Sequence, residues 1–298
     1  MTLTITPTGA TLGALVTGVD LANLDDAEWA DIERAFLAHA VLIFPAQHLS
    51  DAAQIGFGRR FGAIEQLVAG REIVPISNQR ADGTLLKEDE FGMQLMRGNE
   101  GWHTDSSYMP LAAKASVLSA HVVPSAGGQT EWADMRAAYD AIDGVTKARI
   151  AGLSAYHSLY YSQGRIGHKG AVGSSYGFHT DEPPLRPLVK VHPVTGRKSL
   201  FIGRHAYGIP GLEPEESEKL LDGLVTFACQ APRTYSHVWQ PGDVVVWDNR
   251  CVLHRAHPFD HREPRVMKHT RVAGEPASEL AVQRAEIRDI QHLRGSKV

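Results

Sequence analysis

Gly101-Trp102-His103-Thr104-Asp105 is the stretch on which the reading of this chain turns. His103 and Asp105 are two positions apart, and on a β-strand that spacing sends both side chains to one face, about 6–7 Å apart along the strand. An imidazole and a carboxylate so placed can grip one metal ion if a distant histidine supplies a third donor, and His254 is the candidate. Two histidines and one carboxylate on one face of an octahedral ion leave three positions open, the pattern of non-haem Fe(II) oxygenases. A bare His-X-Asp is weak on its own, and the chain has a second, His179-Thr180-Asp181. Context favours the first. It leads through Ser106-Ser107-Tyr108 toward a strand, whereas the second sits in a Gly/Ser-rich loop ending in Pro183-Pro184.

Composition narrows the setting of such a site. The 298 residues, 43% hydrophobic and 21% charged, suffice for one sizeable core, and no linker or repeat divides residues 1–298, so a single domain is expected. A net charge of −4 offers no basic excess to neutralise phosphates, which excludes nucleic acid as an expected partner. Cys229 and Cys251 are too few for a disulfide framework and fit a reducing compartment. The stretch Met1–Pro7 lacks a basic region followed by an apolar run, and no segment approaches the roughly 18 consecutive apolar residues of a membrane span. The expectation is a cytoplasmic protein with no membrane partner.

Working outward, Asp25-Asp26 precede Trp29, Ile32, Phe36 and Leu37 at helical spacing, and Ser50 reads as the N-cap of a second helix closed by Gly62. Further helices are expected around 135–142, 145–153 and 215–228, and a polar surface helix from Ala277 onward. Strands are expected within 2–20, at 41–44, around His103, and at 115–124, 187–191, 199–202, 243–247, 251–254 and 265–272. Residues 63–100 and 157–184 read as loops. Strands with helices in blocks, rather than a regular β-α alternation, point to a mainly β protein: an antiparallel double-sheet barrel with flanking helices.

The sequence also resembles the taurine / 2,4-dichlorophenoxyacetate dioxygenase family of Fe(II)- and 2-oxoglutarate-dependent oxygenases. The residues that carry the resemblance are Trp102–Ser106, Gly127–Glu131, Asp134–Asp140, His192–Lys198, Trp247–Arg255 and the strand from Arg265 to Arg271, in family order across nearly the whole chain. Within that family it is similar to the aryloxyalkanoate (phenoxypropionate) dioxygenases, through Ile5–Gly13 and Gly242–Trp247. The resemblance implies a double-stranded β-helix (jelly-roll) core, with Fe(II) held by His103, Asp105 and His254, and with 2-oxoglutarate and O2 as cosubstrates. It implies hydroxylation of an anionic aromatic acid next to its ether oxygen, as in herbicide catabolism, and, by family analogy, a homo-oligomer. Taurine or another small sulfonate or carboxylate is the alternative substrate.

For the distal carboxylate of 2-oxoglutarate the resemblance implies a hydroxyl, Thr130, and a cation on the last strand. Family spacing would put an arginine at position 269, where this chain has His269. Arg271 is therefore expected as the bidentate partner, with Arg265 assisting. For the substrate carboxylate Arg204, Lys190, Lys87 and Arg71 are candidates, Trp102 and Tyr108 are possible aromatic walls, and loops 67–98 and 157–182 are the natural lids. Two rival readings of the ligand set, a zinc hydrolase and a barrel that binds a metal or small acid without turnover, leave a dicarboxylate site unexplained.

Overall fold

The structure, a computed structural model, describes residues 2–282. It is mainly β with flanking helices. A seven-stranded sheet runs, in spatial order, Thr4–Pro7, Ala14–Thr17, Val41–Phe44, Val244–Asp248, Ala113–Val122, Val266–Ala273 and Val74–Ser77. Every pairing in it is antiparallel except that of Ala14–Thr17 with Val41–Phe44. A three-stranded sheet of Thr234–His237, Thr130–Asp134 and Val252–Ala256 lies opposite.

Residues Val41–Phe44 and 244–247 are apolar at every position because both faces of these strands are covered. Val244 and Val246 face helices Asp26–His39 and Asp51–Phe61, packing with Ile32, Phe36, Phe57 and Phe61. Val245 and Trp247 face the other way, and pack with Leu118 and Met267 against Trp132 and Val252 of the three-stranded sheet. One strand thus joins two cores through the period-two alternation of its side chains. A third core lies between helix Pro214–Ala228, helix Met135–Ala141 and the small strands Ser154–His157 and Lys198–Leu200.

Several expectations need correction. His103 is not on a regular strand: it forms one isolated bridge with His254, and Asp105 already lies in the following turn, where Ser106 has a φ of 52°. The stretch before Met135, expected to turn directly into a helix, contains the strand Thr130–Asp134, and Asp134 caps the helix through its side chain. The two expected loops contain short helices, Phe91–Gly98 and Leu159–Gly164. The tail begins with a four-residue helix, Pro276–Glu279, whose Glu279 is buried and paired with Lys190; positions 283–298 of the expected surface helix lie outside the described residues. No helix among the described residues is long and apolar enough to cross a membrane.

The His192 and Trp247–Arg250 motifs meet in the interior. Asp248 accepts hydrogen bonds from Arg250 Nε (2.8 Å) and Nη2 (2.7 Å), and lies 3.0 Å from His192 Nε2. Cys251 is close enough to make this a nominal metal cluster, but the carboxylate is saturated by its cationic and imidazole neighbours, so the group ties the 187–200 hairpin to the barrel.

Candidate active site

The bridge places His103 beside His254: each backbone N–H bonds the other's carbonyl, at 3.0 and 2.8 Å. Their rings are 4.1 Å apart, and His254 Nε2 is 3.8 Å from Asp105 Oδ1. One donor atom from each of His103, Asp105 and His254 lies within 4.8 Å of the other two, so the structure brings the expected triad together. Among the described residues the second tripeptide makes no such cluster: His179 contacts the Tyr108 carbonyl, and exposed Asp181 lies 3.6 Å from His179 itself.

The surroundings of the triad suit a cation. His103 Nδ1 is 2.8 Å from the Gly101 carbonyl, which can only accept, so Nδ1 carries the proton and Nε2 presents a lone pair. Burial pushes the His103 imidazole down to about 4 and that of His254 well below its ordinary value, so both are neutral, as ligation requires. Burial works against an ionised Asp105, but Arg271 and the neighbouring histidines outweigh it and hold the carboxyl below the usual carboxylate range. Ser116 Oγ donates to Asp105 Oδ2 (2.6 Å) and Asn249 Oδ1 accepts from the Asp105 N–H (3.3 Å).

The two arginines of the last strand have different employment. Arg271 donates from Nη2 to Asp105 Oδ1 (2.9 Å) and from Nη1 to Ser106 Oγ (3.0 Å), with Glu65 3.9 Å from its Nε. Arg265, also buried, has no acidic partner among the described residues; its Nε donates to the Gly128 carbonyl (3.2 Å). Burial alone pulls that guanidinium down to about 10. The Gly127-Gly128 pair permits this approach. Gly128 has a φ of 67°, and a Cβ there would stand 3.2 Å from Arg265 Nε. Thr130 accepts from Trp239 Nε1 (3.0 Å), leaving its own hydroxyl proton free to donate.

Thr130, Arg265 and His254 line a small cavity with Leu118 and Trp247. A second cavity of about 330 Å³ is walled by Leu67, Val74, Ile76, Leu86, Leu95 and Leu159 from the two expected lid regions. His103 and Asp105 line both. A larger groove of about 510 Å³, between helices Gly144–Ile150 and Pro214–Ala228, holds none of these residues. Of the sequence candidates for a substrate carboxylate, Arg204 lines the 330 Å³ cavity; Lys190 is paired with Glu279, and Lys87 and Arg71 are exposed outside it. Tyr108 lines the cavity, whereas Trp102 packs in the third core under Arg255, at 4.6 Å. Glu65 and Tyr176, whose side chains hydrogen-bond each other beside Arg271, carried no signal in the sequence, because only tertiary contact joins them.

The profile of the taurine catabolism dioxygenase TauD, TfdA family matches residues 4–271. The chain belongs to this dioxygenase family. The dioxygenase is 58% identical over 284 residues to the (S)-phenoxypropionate/alpha-ketoglutarate-dioxygenase of Sphingobium herbicidovorans, covering 93% of this chain and 97% of the relative. It is 38% identical over 272 residues to the alpha-ketoglutarate-dependent 2,4-dichlorophenoxyacetate dioxygenase of Cupriavidus pinatubonensis, covering 87% and 94% of the two chains. Among solved structures, AAD-2 in complex with Mn(II) and N-oxalylglycine superposes with a TM-score of 0.87 at 39% identity, over 95% of this chain and all (100%) of that one.

Proposed function

We propose that this dioxygenase uses Fe(II), 2-oxoglutarate and O2 to hydroxylate an aryloxyalkanoate at the carbon next to the ether oxygen. The products are a phenol and an oxo acid, with succinate and CO2. The observation that carries the reading is that His103 and Asp105 border two cavities, a small one lined by Thr130 and Arg265 and a larger one walled in part by Leu67, Val74, Leu86, Leu95 and Leu159. Cosubstrate and substrate can then meet the metal from separate sides. The facing sheets are read as the double-stranded β-helix of the family.

The iron with its cosubstrates supplies the oxidising chemistry; the chain binds, orients and shields it. His103, Asp105 and His254 would hold the ion. Arg265, whose terminal nitrogens have no acidic partner among the described residues, and the Thr130 hydroxyl would take the distal carboxylate of 2-oxoglutarate. Arg271, committed to Asp105 and Ser106, would instead orient the ligating carboxylate. This reverses the roles expected for the two arginines from sequence. The leucine-rich wall favours an aryl ring over the short polar chain of taurine.

The experiment is to reconstitute the protein anaerobically with Fe(II) and 2-oxoglutarate, admit O2, and measure succinate and phenol with each enantiomer of a 2-phenoxypropionate and with taurine. Equal amounts of phenol and succinate support the proposal. Succinate formed only with taurine would shift the substrate class, and no succinate with any acid would refute the activity.

A further inference from the structure

Glu65 and Tyr176 stand 111 positions apart in the chain and meet beside Arg271. The Tyr176 hydroxyl donates to Glu65 Oε1, and the Ser106 hydroxyl donates to Glu65 Oε2 (2.8 Å). Ser106 Oγ in turn accepts from Arg271 Nη1, and Arg271 Nη2 donates to Asp105 Oδ1. Each hydroxyl has one proton to give, so with both spent on Glu65 the direction of every bond in this path is fixed. Burial and the neighbouring Glu65 push the Tyr176 phenol above its ordinary value, so it keeps the proton that it donates. A continuous run of charge-assisted hydrogen bonds thus links Tyr176 to the carboxylate expected to hold the metal.

Tyr176 belongs to an irregular strap, residues 170–179. Buried Phe178 packs edge-on against Tyr160 of helix Leu159–Gly164, with ring centroids 4.9 Å apart, and Gly177 lies against the Tyr108 ring. Gly177 has a φ of 88°, and a Cβ there would stand 2.4 Å from Tyr108 Cε2, so only glycine lets the strap approach this closely. Tyr176 and His179 fasten the strap by side-chain hydrogen bonds, His179 to the Tyr108 carbonyl at 3.2 Å. Ser175 and Tyr176 line the larger cavity together with His103 and Asp105. One path of bonds therefore joins a wall of that cavity to a metal ligand.

We propose that Tyr176 is a positioning residue that locks this strap shut and, through Glu65, Ser106 and Arg271, holds Asp105 in its ligating orientation. The inference rests on His103, Asp105 and His254 as metal ligands, and it is independent of which acid is the substrate. Glu65 is the reason for the coupling. Arg271 Nε has no hydrogen-bond partner among the described residues and lies 3.9 Å from Glu65 Oε2. When the strap lifts, Glu65 loses one of its two hydroxyl donors, and an unsatisfied carboxylate draws the guanidinium toward itself and away from Asp105. With the strap closed, Tyr176 and Ser106 satisfy Glu65, and Arg271 stays on the metal ligand. Linkage makes the effect reciprocal: if the closed strap tightens the metal, the metal must favour closure by the same factor.

Two readouts on the full chain test this in the parent, in Tyr176→Phe, which keeps the ring and removes only the hydroxyl, and in Tyr176→Phe combined with Glu65→Gln. One is the affinity and visible absorption spectrum of Co(II) titrated into the metal-free protein. The other is the rate of tryptic cleavage after Lys169, which is exposed beside the strap and is cut when the strap lifts. In the parent, Co(II) is expected to slow cleavage by about 5–10-fold, and Tyr176→Phe to bind Co(II) more weakly by a similar factor, with an altered spectrum. Its cleavage should be fast with or without the metal. Adding Glu65→Gln should restore Co(II) affinity while the strap stays loose, because a neutral amide no longer draws Arg271. Faster cleavage of Tyr176→Phe with parental Co(II) affinity and spectrum would make Tyr176 a strap anchor alone and overturn the proposal. A double variant that binds Co(II) as weakly as Tyr176→Phe would overturn the competition for Arg271. A parent with no affinity for Co(II) would refute the ligand assignment, and this inference with it.

Discussion

Arg271 Nη2 lies 2.9 Å from Asp105 Oδ1, on the carboxylate expected to bind the metal, and its other terminal nitrogen reaches Ser106, the next residue in the chain. The guanidinium therefore sets the orientation and the ionisation of Asp105 together, and it is not free to serve another carboxylate. That division of labour separates two variants whose effects would otherwise look alike.

Arg271→Leu removes the hydrogen bond that aims Asp105. The expected effect is a loss of metal affinity of about 10–100-fold, the range found when a hydrogen-bond partner of a ligand is deleted. Titration of the metal-free protein with Mn(II) or Fe(II) checks it. Unchanged metal affinity would show that Asp105 needs no such support.

Arg265→Gln leaves the triad untouched and removes the cation of the small cavity. The loss of a charged hydrogen bond, about 1.5–3 kcal/mol, corresponds to a KM for 2-oxoglutarate roughly 10–150-fold higher, with metal affinity preserved. Thr130→Val acts in the same direction by a smaller factor. If Arg271→Leu raised the KM for 2-oxoglutarate and Arg265→Gln did not, the assignment of the two arginines would be reversed.

His103→Ala is expected to abolish turnover and high-affinity metal binding. His179→Ala, in the tripeptide that forms no cluster, is expected to retain both. Iron content of the two purified variants is the direct measurement; a folded His179→Ala protein without iron would sink the choice of ligand pair.

His157 gives a pH prediction away from the metal. It is fully buried against Phe201, its ring nitrogens have no hydrogen-bond partner among the described residues, and burial, helped by Arg186 and Lys190, lowers its proton affinity well below the ordinary histidine value. The unfolded chain takes up a proton below about pH 6.5 that the native state refuses, so the native state loses stability as pH falls. One pH unit below that point the loss is about 1.4 kcal/mol from this residue. Urea unfolding of the metal-free protein at pH 7.5 and 5.5 should show His157→Phe losing less stability across the interval than the parent. Equal losses would mean that His157 is protonated in both states or in neither.

Much of this protein can be read from its residues in order. Ser50 caps its helix as expected, and Asp25, expected only to precede its helix, turns out to be the cap; capping is a short-range hydrogen bond between neighbours in the chain. Val41–Phe44 and residues 244–247 announce buried strands through unbroken apolar runs. His103, Asp105 and His254 were nameable before any fold, since their residue types and family order carry the signal. Short-range or one-dimensional signals of this kind need no knowledge of what lies across the barrel.

Only the tertiary structure decided the rest. The helices Phe91–Gly98 and Leu159–Gly164 are too short to declare themselves, and packing against each other and the cavity makes them form. His103 and Asp105 share a site through one bridge and a turn, not through the alternation of a regular strand. Above all, Arg204, Arg265 and Arg271 are indistinguishable as letters. Which of them is available to a ligand depends on whether an acid, such as Asp105 for Arg271, is folded against it, and a charge is neutralised by distance in space, not by position in the chain.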